Sequence, residues 1–180
     1  WQLLVKMLTE AADVEDVYAA AEEKHESIMK NKALMIVFAT KIKTVKFVVD
    51  LLKKHKMRVE GLHGKMPQEG RNNALNNFKT GKTHILVATD LAARGLHVNN
   101  LKYVINWDFP SSLEQYAHRI GRTGRNGNSG TAFSFFTRNF APLAPDLCEL
   151  LKSCGASVDP FLKEIADAHK AEVAGLAPAG

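Results

Sequence analysis

With 180 residues the chain is long enough for a single domain with its own hydrophobic core, and it needs no disulfide framework to stand. Its two cysteines, Cys148 and Cys154, have no second pair, which excludes a zinc pattern and a disulfide scaffold and leaves buried or idle thiols. The net charge is +5, no apolar run reaches membrane-spanning length and no secretory signal is visible, so composition points to an intracellular domain without a membrane partner.

The charge is unevenly spread. Residues 1–30 carry three basic and seven acidic side chains, residues 31–138 eighteen and six, and residues 139–180 three and six. The whole positive excess therefore lies in the middle of the chain, as expected of a surface that meets a polyanion. The chain starts at Trp1 inside an apolar helical pattern, which reads as a piece of a longer protein. Residues 1–30 read as a helical lead-in, whose acidic stretch from Val14 to Ser27 looks like an insertion before the first strand.

Next come alternating elements. Strands are expected near 34–38, 57–62, 84–88, 102–107 and 131–136, and helices near 41–55, 67–79, 112–120 and 142–153. Such alternation implies an α/β fold, a parallel sheet covered on both faces. In the first helix, Val45, Phe47, Val48, Leu51 and Leu52 read as the apolar face. Lys41, Lys43, Lys46, Lys53, Lys54 and Lys56 read as its solvated side. Pro67 suits a first helical turn and Gly155 a helix stop, and residues 126–130 read as a turn into the last strand. The core segment is taken as 31–158, followed by a C-terminal helix and a flexible tail over 159–180.

Two segments carry chemistry. His118-Arg119-Ile120-Gly121-Arg122-Thr123-Gly124-Arg125 sets three arginines three residues apart, with glycines that let the backbone approach a ligand. Forked, permanently charged guanidinium groups in a comb suit a polyphosphate whose charge grows during reaction. A solvated basic loop, or plain phosphate binding to nucleic acid, fits the comb alone equally well. The second segment, His84 to Asp90 and on through Val98, runs from an apolar strand into a polar end, where parallel sheets place ligands. Asp90 reads there as the cap of a short helix over 91–94, and Thr40, after the first strand, as a phosphate contact, a helix cap, or both.

Together these two segments resemble motifs V and VI of the DEAD-box RNA helicases. Met35 to Lys41 resembles motif IV, and Leu62-His63-Gly64 with Gln68-Glu69-Gly70-Arg71 resembles the Gln-x-x-Arg element. Four motifs thus fall in family order between residues 34 and 138. The resemblance implies the C-terminal RecA-like domain of an ATP-dependent RNA helicase, with a parallel sheet and helices on both faces. It implies RNA contacts through Thr40, Gly64, Gln68, Arg71 and Thr89, and catalytic arginine fingers at Arg122 and Arg125 that reach the ATP γ-phosphate. Arg94, His118 and Arg119 are implied in coupling two domains. His97 stands where the family has an aspartate that contacts the nucleotide ribose; an imidazole still bonds a hydroxyl, but the carboxylate acceptor is gone. Gly130 to Thr137, and on to Asp159-Pro160, resembles the nuclear-type members of RNA processing, so the expected compartment is the nucleus, the cytoplasm or both.

Gly81-Lys82-Thr83 imitates the end of a Walker A loop, but Asn76 replaces its first glycine and it lies between a helix and a strand, the reverse of a phosphate loop. No Asp-Glu-Ala-Asp, Ser-Ala-Thr or Walker A sequence occurs. ATP with Mg2+ is therefore expected on an N-terminal RecA-like domain outside this sequence, the chain holding no metal itself. By itself it is expected to be monomeric and inactive as an ATPase. Two other readings stand beside this one: a stand-alone RNA- or protein-binding module without ATPase activity, and a helicase-like domain acting on DNA.

Overall fold

The computed structural model describes residues 33–96, 98, 101–125, 127 and 129–175. The expected lead-in, His97, Asn126, Asn128 and the last five residues lie outside these. Five short apolar runs become strands: β1 (Leu34–Phe38), β2 (Val59–Leu62), β3 (Ile85–Ala88), β4 (Leu101–Asn106) and β5 (Thr131–Ser134). Between and after them come α1 (Ile42–Lys54), α2 (Gln68–Lys79), α3 (Leu113–Ile120), α4 (Ala144–Ser153) and α5 (Pro160–Val173), with a 3-10 turn over Arg138–Leu143. Among the described residues the expected strands and helices are present, with ends shifted by a residue or two. The exception is residues 91–94, which form turns closed by Ala93 N to Thr89 O at 3.0 Å and Leu96 N to Ala93 O at 3.1 Å.

The strand order is β2-β3-β1-β4-β5, and β1 pairs parallel with both β3 and β4, as β2 does with β3. Every residue of β3 and all but Leu34 of β1 are buried, the near-continuous apolar signature of strands covered on both faces. Consecutive residues of a strand point to opposite faces, and β2 displays this. On one side Gly61 faces α1: a Cβ there would lie 3.2 Å from Val49 Cγ2 and 3.6 Å from Val45 Cγ1. On the other side Leu62 joins Phe78 of α2, Leu86, Ala88, Ile36, Phe38 and Val104 in the main core cluster. Asn77 Nδ2 also donates to Glu60 Oε1 at 3.0 Å, tying α2 to β2.

Helix α1 buries Val45, Val48, Val49 and Leu52, a stripe with spacings of three and four. Phe47, expected in that stripe, is instead 51% exposed. It lies two residues from Val45, about 200° around a helix of 3.6 residues per turn, so the two cannot share a face. Pro67 stands one place earlier than expected, as the cap before α2. Gly155 ends α4 at φ 69°, a left-handed conformation that favours glycine.

By contacts the chain forms two compact units, one ending at Trp107 and taking back Arg119–Phe133, the other made of Asp108–His118 and the segment from Ser134. The second unit is built around Phe109, whose ring lies 4.8 Å from Phe136, 5.3 Å from Tyr116 and 5.5 Å from Phe140. Asp159 caps α5 there, accepting from Phe161 N at 2.8 Å. No described helix is long and apolar enough to cross a membrane.

Gly61→Val is expected to push α1 off the sheet, because the added methyl groups land on Val45 and Val49. Overpacking of this kind costs about 1–3 kcal/mol. A lowered urea midpoint at unchanged slope checks it.

Candidate functional site

The parallel register brings four strand ends into one row. Leu62 pairs with Ala88, Ala88 with Phe38, and Phe38 with Asn106. Backbone bonds continue the ladder past these ends: Thr89 N to Leu62 O at 3.2 Å, Ala39 N to Ala88 O at 3.0 Å and Trp107 N to Phe38 O at 2.9 Å. The segments that follow, holding Gly64, Thr89, Thr40 and Trp107, therefore leave the same carboxyl edge of the sheet. With about 4.8 Å between strands, the row from β2 to β4 is about 14 Å long. Gly81-Lys82-Thr83 precedes β3, at the opposite edge.

Along this row the candidate RNA contacts differ in setting. Thr40 is exposed, and the cap position of α1 belongs to Lys41, which makes no side-chain cap. Gly64 lies in an exposed turn, and a Cβ built there would meet nothing within 4 Å. Packing within the chain does not require glycine at this position, which leaves the backbone open to close approach from outside. Gln68 starts α2 and donates along the helix surface to Asn72 Oδ1 at 2.9 Å. Arg71, one turn on, has a buried Nε with no hydrogen-bond partner. Thr89 is 9% exposed at the end of β3. Beside Gly64, His63 is half-buried. Burial, and then the Lys46 charge, push the His63 pKa below its usual value; its own backbone hydrogen bond opposes this, and Lys65 adds to the fall.

The arginine comb divides by role. Arg119 is 1% exposed, the largest of the fully buried side chains. Its Nε and Nη2 donate to the two Asp90 carboxylate oxygens, each at 2.7 Å, and its Nη1 donates to Asn106 Oδ1 at 3.1 Å. The guanidinium also lies 5.3 Å from the centroid of the Phe38 ring. A buried guanidinium is stable only when its fork is met by acceptors, and here Asp90 after β3 and Asn106 at the end of β4 supply them. With residues 91–94 in turns, Asp90 has no helix there to cap; it ties the segment after β3 to the arginine comb. Arg119 itself presents almost no surface, so a link to another domain would run through Asp90, which is 28% exposed.

The rest of the comb is pinned beyond Arg119. Thr123 Oγ1 donates to Leu101 O at 2.6 Å and lies 3.1 Å from Lys102 O, while Lys102 Nζ donates to Ser129 Oγ at 2.7 Å. Gly130 packs so closely that a Cβ would fall 2.1 Å from Thr123 Oγ1 and 2.5 Å from Gly124 N. Arg122 and Arg125 project from this held loop. Arg122 Nη1 donates to Leu96 O at 3.2 Å, a carbonyl presented after Gly95 turns the chain at φ 71°. Arg125 is exposed and its Nε donates to Gly121 O. Burial and then the charge of Arg125 push the Arg122 pKa down from its ordinary value, although arginine remains cationic at neutral pH. Arg94 and His118 are exposed, and His97 lies outside the described residues. Asp90, Asn106, Thr123 and Gly130 were not singled out for these roles from sequence, since their roles arise from contacts between segments far apart in the chain.

A RecA-like parallel sheet that carries its motif ends on one carboxyl edge, with an arginine comb fastened behind them, defines a helicase-type domain. The comparisons agree. The helicase conserved C-terminal domain family matches residues 19–127, and the chain belongs to that family, in its DEAD-box branch. It is 42% identical over 132 residues to the ATP-dependent RNA helicase p62 of Drosophila melanogaster, covering 73% of this chain and 18% of that protein. The yeast DEAD-box splicing factor Prp28 superposes with a TM-score of 0.70 at 32% identity, over 75% of this chain and 31% of the other. The E. coli DEAD-box protein SrmB, solved with the regulator RraA, superposes at 0.61 and 36% identity, over 67% of this chain and 71% of the other. The chain thus spans about a fifth of the length of a curated relative such as p62.

Asp90→Ala is expected to leave the Arg119 guanidinium buried without its carboxylate. Breaking a buried pair from one side typically costs about 3–5 kcal/mol, and the partial exposure of Asp90 favours the lower end. Urea denaturation of the variant beside the wild type measures the loss.

Proposed function

We propose that this chain is the C-terminal RecA-like domain of an ATP-dependent RNA helicase. In this reading it acts opposite an N-terminal RecA-like domain of the same protein that holds ATP with Mg2+. Arg122 and Arg125 are its catalytic arginine fingers, and the carboxyl edge is its RNA track. The observation that carries the reading is the held loop, fastened by the Thr123 bond to Leu101 and the close packing of Gly130, that presents the part-buried Arg122 and the exposed Arg125 together. Like charges gathered in a partly desolvated place repel until an anion neutralises them, so the donor set fits a polyphosphate. The relatives' names as ATP-dependent RNA helicases give the second support.

Bound ATP would supply the free energy of hydrolysis. The residues of this chain provide position and charge. The Leu96 carbonyl and the Thr123 and Gly130 contacts limit where Arg122 can move, so its charge is in place before negative charge builds up on the γ-phosphate. His97 is the proposed contact to the ribose. Arg94 and His118 would meet the other domain directly, and Arg119 would act from behind them through Asp90. On the RNA side, Thr40, Thr89 and Gln68 offer hydroxyl and amide groups, Gly64 offers open backbone, and the unpartnered Arg71 Nε seeks an acceptor. These groups suit phosphate and sugar, so they position RNA without reading its sequence.

In the full-length enzyme, Arg122→Ala and Arg125→Ala are each expected to reduce kcat strongly while RNA binding without nucleotide holds. An arginine finger elsewhere is worth roughly three to five orders of magnitude, and sharing between two reduces each single loss. The isolated chain is expected to show no RNA-stimulated ATPase. Near-normal turnover in both single variants and in the double variant would remove the catalytic role and leave an RNA-binding module.

Arg71→Ala is expected to weaken RNA alike across sequences and to flatten the plot of log affinity against log salt by about 0.7, the value for one phosphate contact on a single strand. Fluorescence anisotropy with several oligonucleotides at four salt concentrations checks both parts.

A further inference from the structure

Phe47 is the large apolar side chain that its own helix does not bury. The stripe of Val45, Val48, Val49 and Leu52 takes α1 onto the sheet and turns Phe47 outward, 51% exposed. It is not isolated there. Its ring lies 6.3 Å from that of Trp107, the planes inclined at 56°. Trp107 is half-buried and follows β4, and its backbone N–H is bonded to Phe38 at the carboxyl edge, two residues before the exposed Thr40. The aromatic pair therefore prolongs the row of Gly64, Thr89 and Thr40 on its β4 side.

On α1 the charge beside Phe47 is mostly basic, while Asp108 follows Trp107 in the chain. Lys43 and Lys46 are exposed, one turn and one residue before Phe47, and Lys54 lies two turns beyond on the same side of α1. Asp50 is the one exposed acid on that face of the helix. An exposed ring packed beside a half-buried one, among basic side chains and continuous with the proposed RNA-contacting edge, resembles the arrangement by which proteins hold single strands without sequence preference. A protein partner would also cover an apolar ring, but the lysines and the continuity with the edge favour a nucleic acid.

We propose that Phe47 and Trp107 form a stacking platform for an unpaired RNA base at the β4 end of the track, with Lys43 and Lys46 meeting the flanking phosphates. This rests on the RNA reading above and adds to it a contact with the face of a base. Because every base has such a face, the platform would anchor a single strand without selecting its sequence.

The test uses this chain with Trp1→Phe, which leaves Trp107 as the single tryptophan. A ten-nucleotide oligouridine is compared with an abasic ribose-phosphate oligomer of the same length. Oligouridine is expected to quench the Trp107 fluorescence, and the abasic oligomer is not. Phe47→Leu keeps apolar bulk but loses the flat ring, and is expected to weaken oligouridine about fivefold or more while leaving the abasic oligomer unchanged. Phe47→Tyr is expected to keep wild-type affinity. Lys43→Ala with Lys46→Ala is expected to weaken both ligands. Equal affinities of Phe47→Leu and wild type for oligouridine, or an equal loss on both ligands, would overturn the platform and leave the face to a protein partner. If Arg71→Ala still weakens both ligands in that case, the RNA track survives the loss of the platform. If the wild type binds neither ligand, both readings fall.

Discussion

The Arg119–Asp90 fork joins the two parts of the chain on which the site depends. One partner follows β3 and the other ends α3, and the remaining guanidinium nitrogen is held by Asn106 at the end of β4. Because the guanidinium is almost wholly buried, its charge cannot fall back on water and must keep these acceptors. The position of the loop with Arg122 and Arg125 therefore follows from the position of the sheet edge. The Phe38 ring beneath the guanidinium adds the end of β1 to the same junction.

Two further contacts turn that junction into a rigid presentation of charge. Thr123 bonds the start of β4, and Gly130 leaves no room for a side chain against Thr123 and Gly124. Between these points Arg122 is partly buried and Arg125 exposed, a combination that holds two charges in one loop without the full cost of burying them. The depressed pKa of Arg122 follows from that placement, through lost hydration first and the neighbouring guanidinium second. Such repulsion is tolerable in a loop fixed from both sides, and it favours any anion that arrives.

The opposite demand is met along the carboxyl edge. There the proposed RNA contacts are open backbone at Gly64, an unpartnered nitrogen on Arg71, and hydroxyl groups at Thr40 and Thr89. Gly64, Thr89 and Thr40 follow the ends of neighbouring strands because the sheet is parallel, so each strand sends its following segment to the same side. A sheet with one of these strands reversed would send that strand's contact to the other edge and break the row.

Much of this was legible in the sequence. The apolar strands, the alternation with helices and the four ordered motifs led to the parallel sheet and the family, because burial on two faces and glycine- or arginine-rich turns leave local marks. Element ends moved by only a residue or two for the same reason. What stayed hidden were relations between distant residues. Asp90 looked like a cap because its nearest possible donors in sequence are backbone amides; its actual partner is 29 residues away. Phe47 looked like core because apolar residues crowd α1, and its true direction depended on which stripe the sheet selected. Thr123 and Gly130 acquired their roles only when the loop folded back on the start of β4. The sequence by itself determined the elements and the kinds of chemistry at their ends, since these depend on residue type and short-range spacing. Only the tertiary structure decided which charges are buried and paired and which face outward, since that depends on packing between segments with no sequence relation to one another.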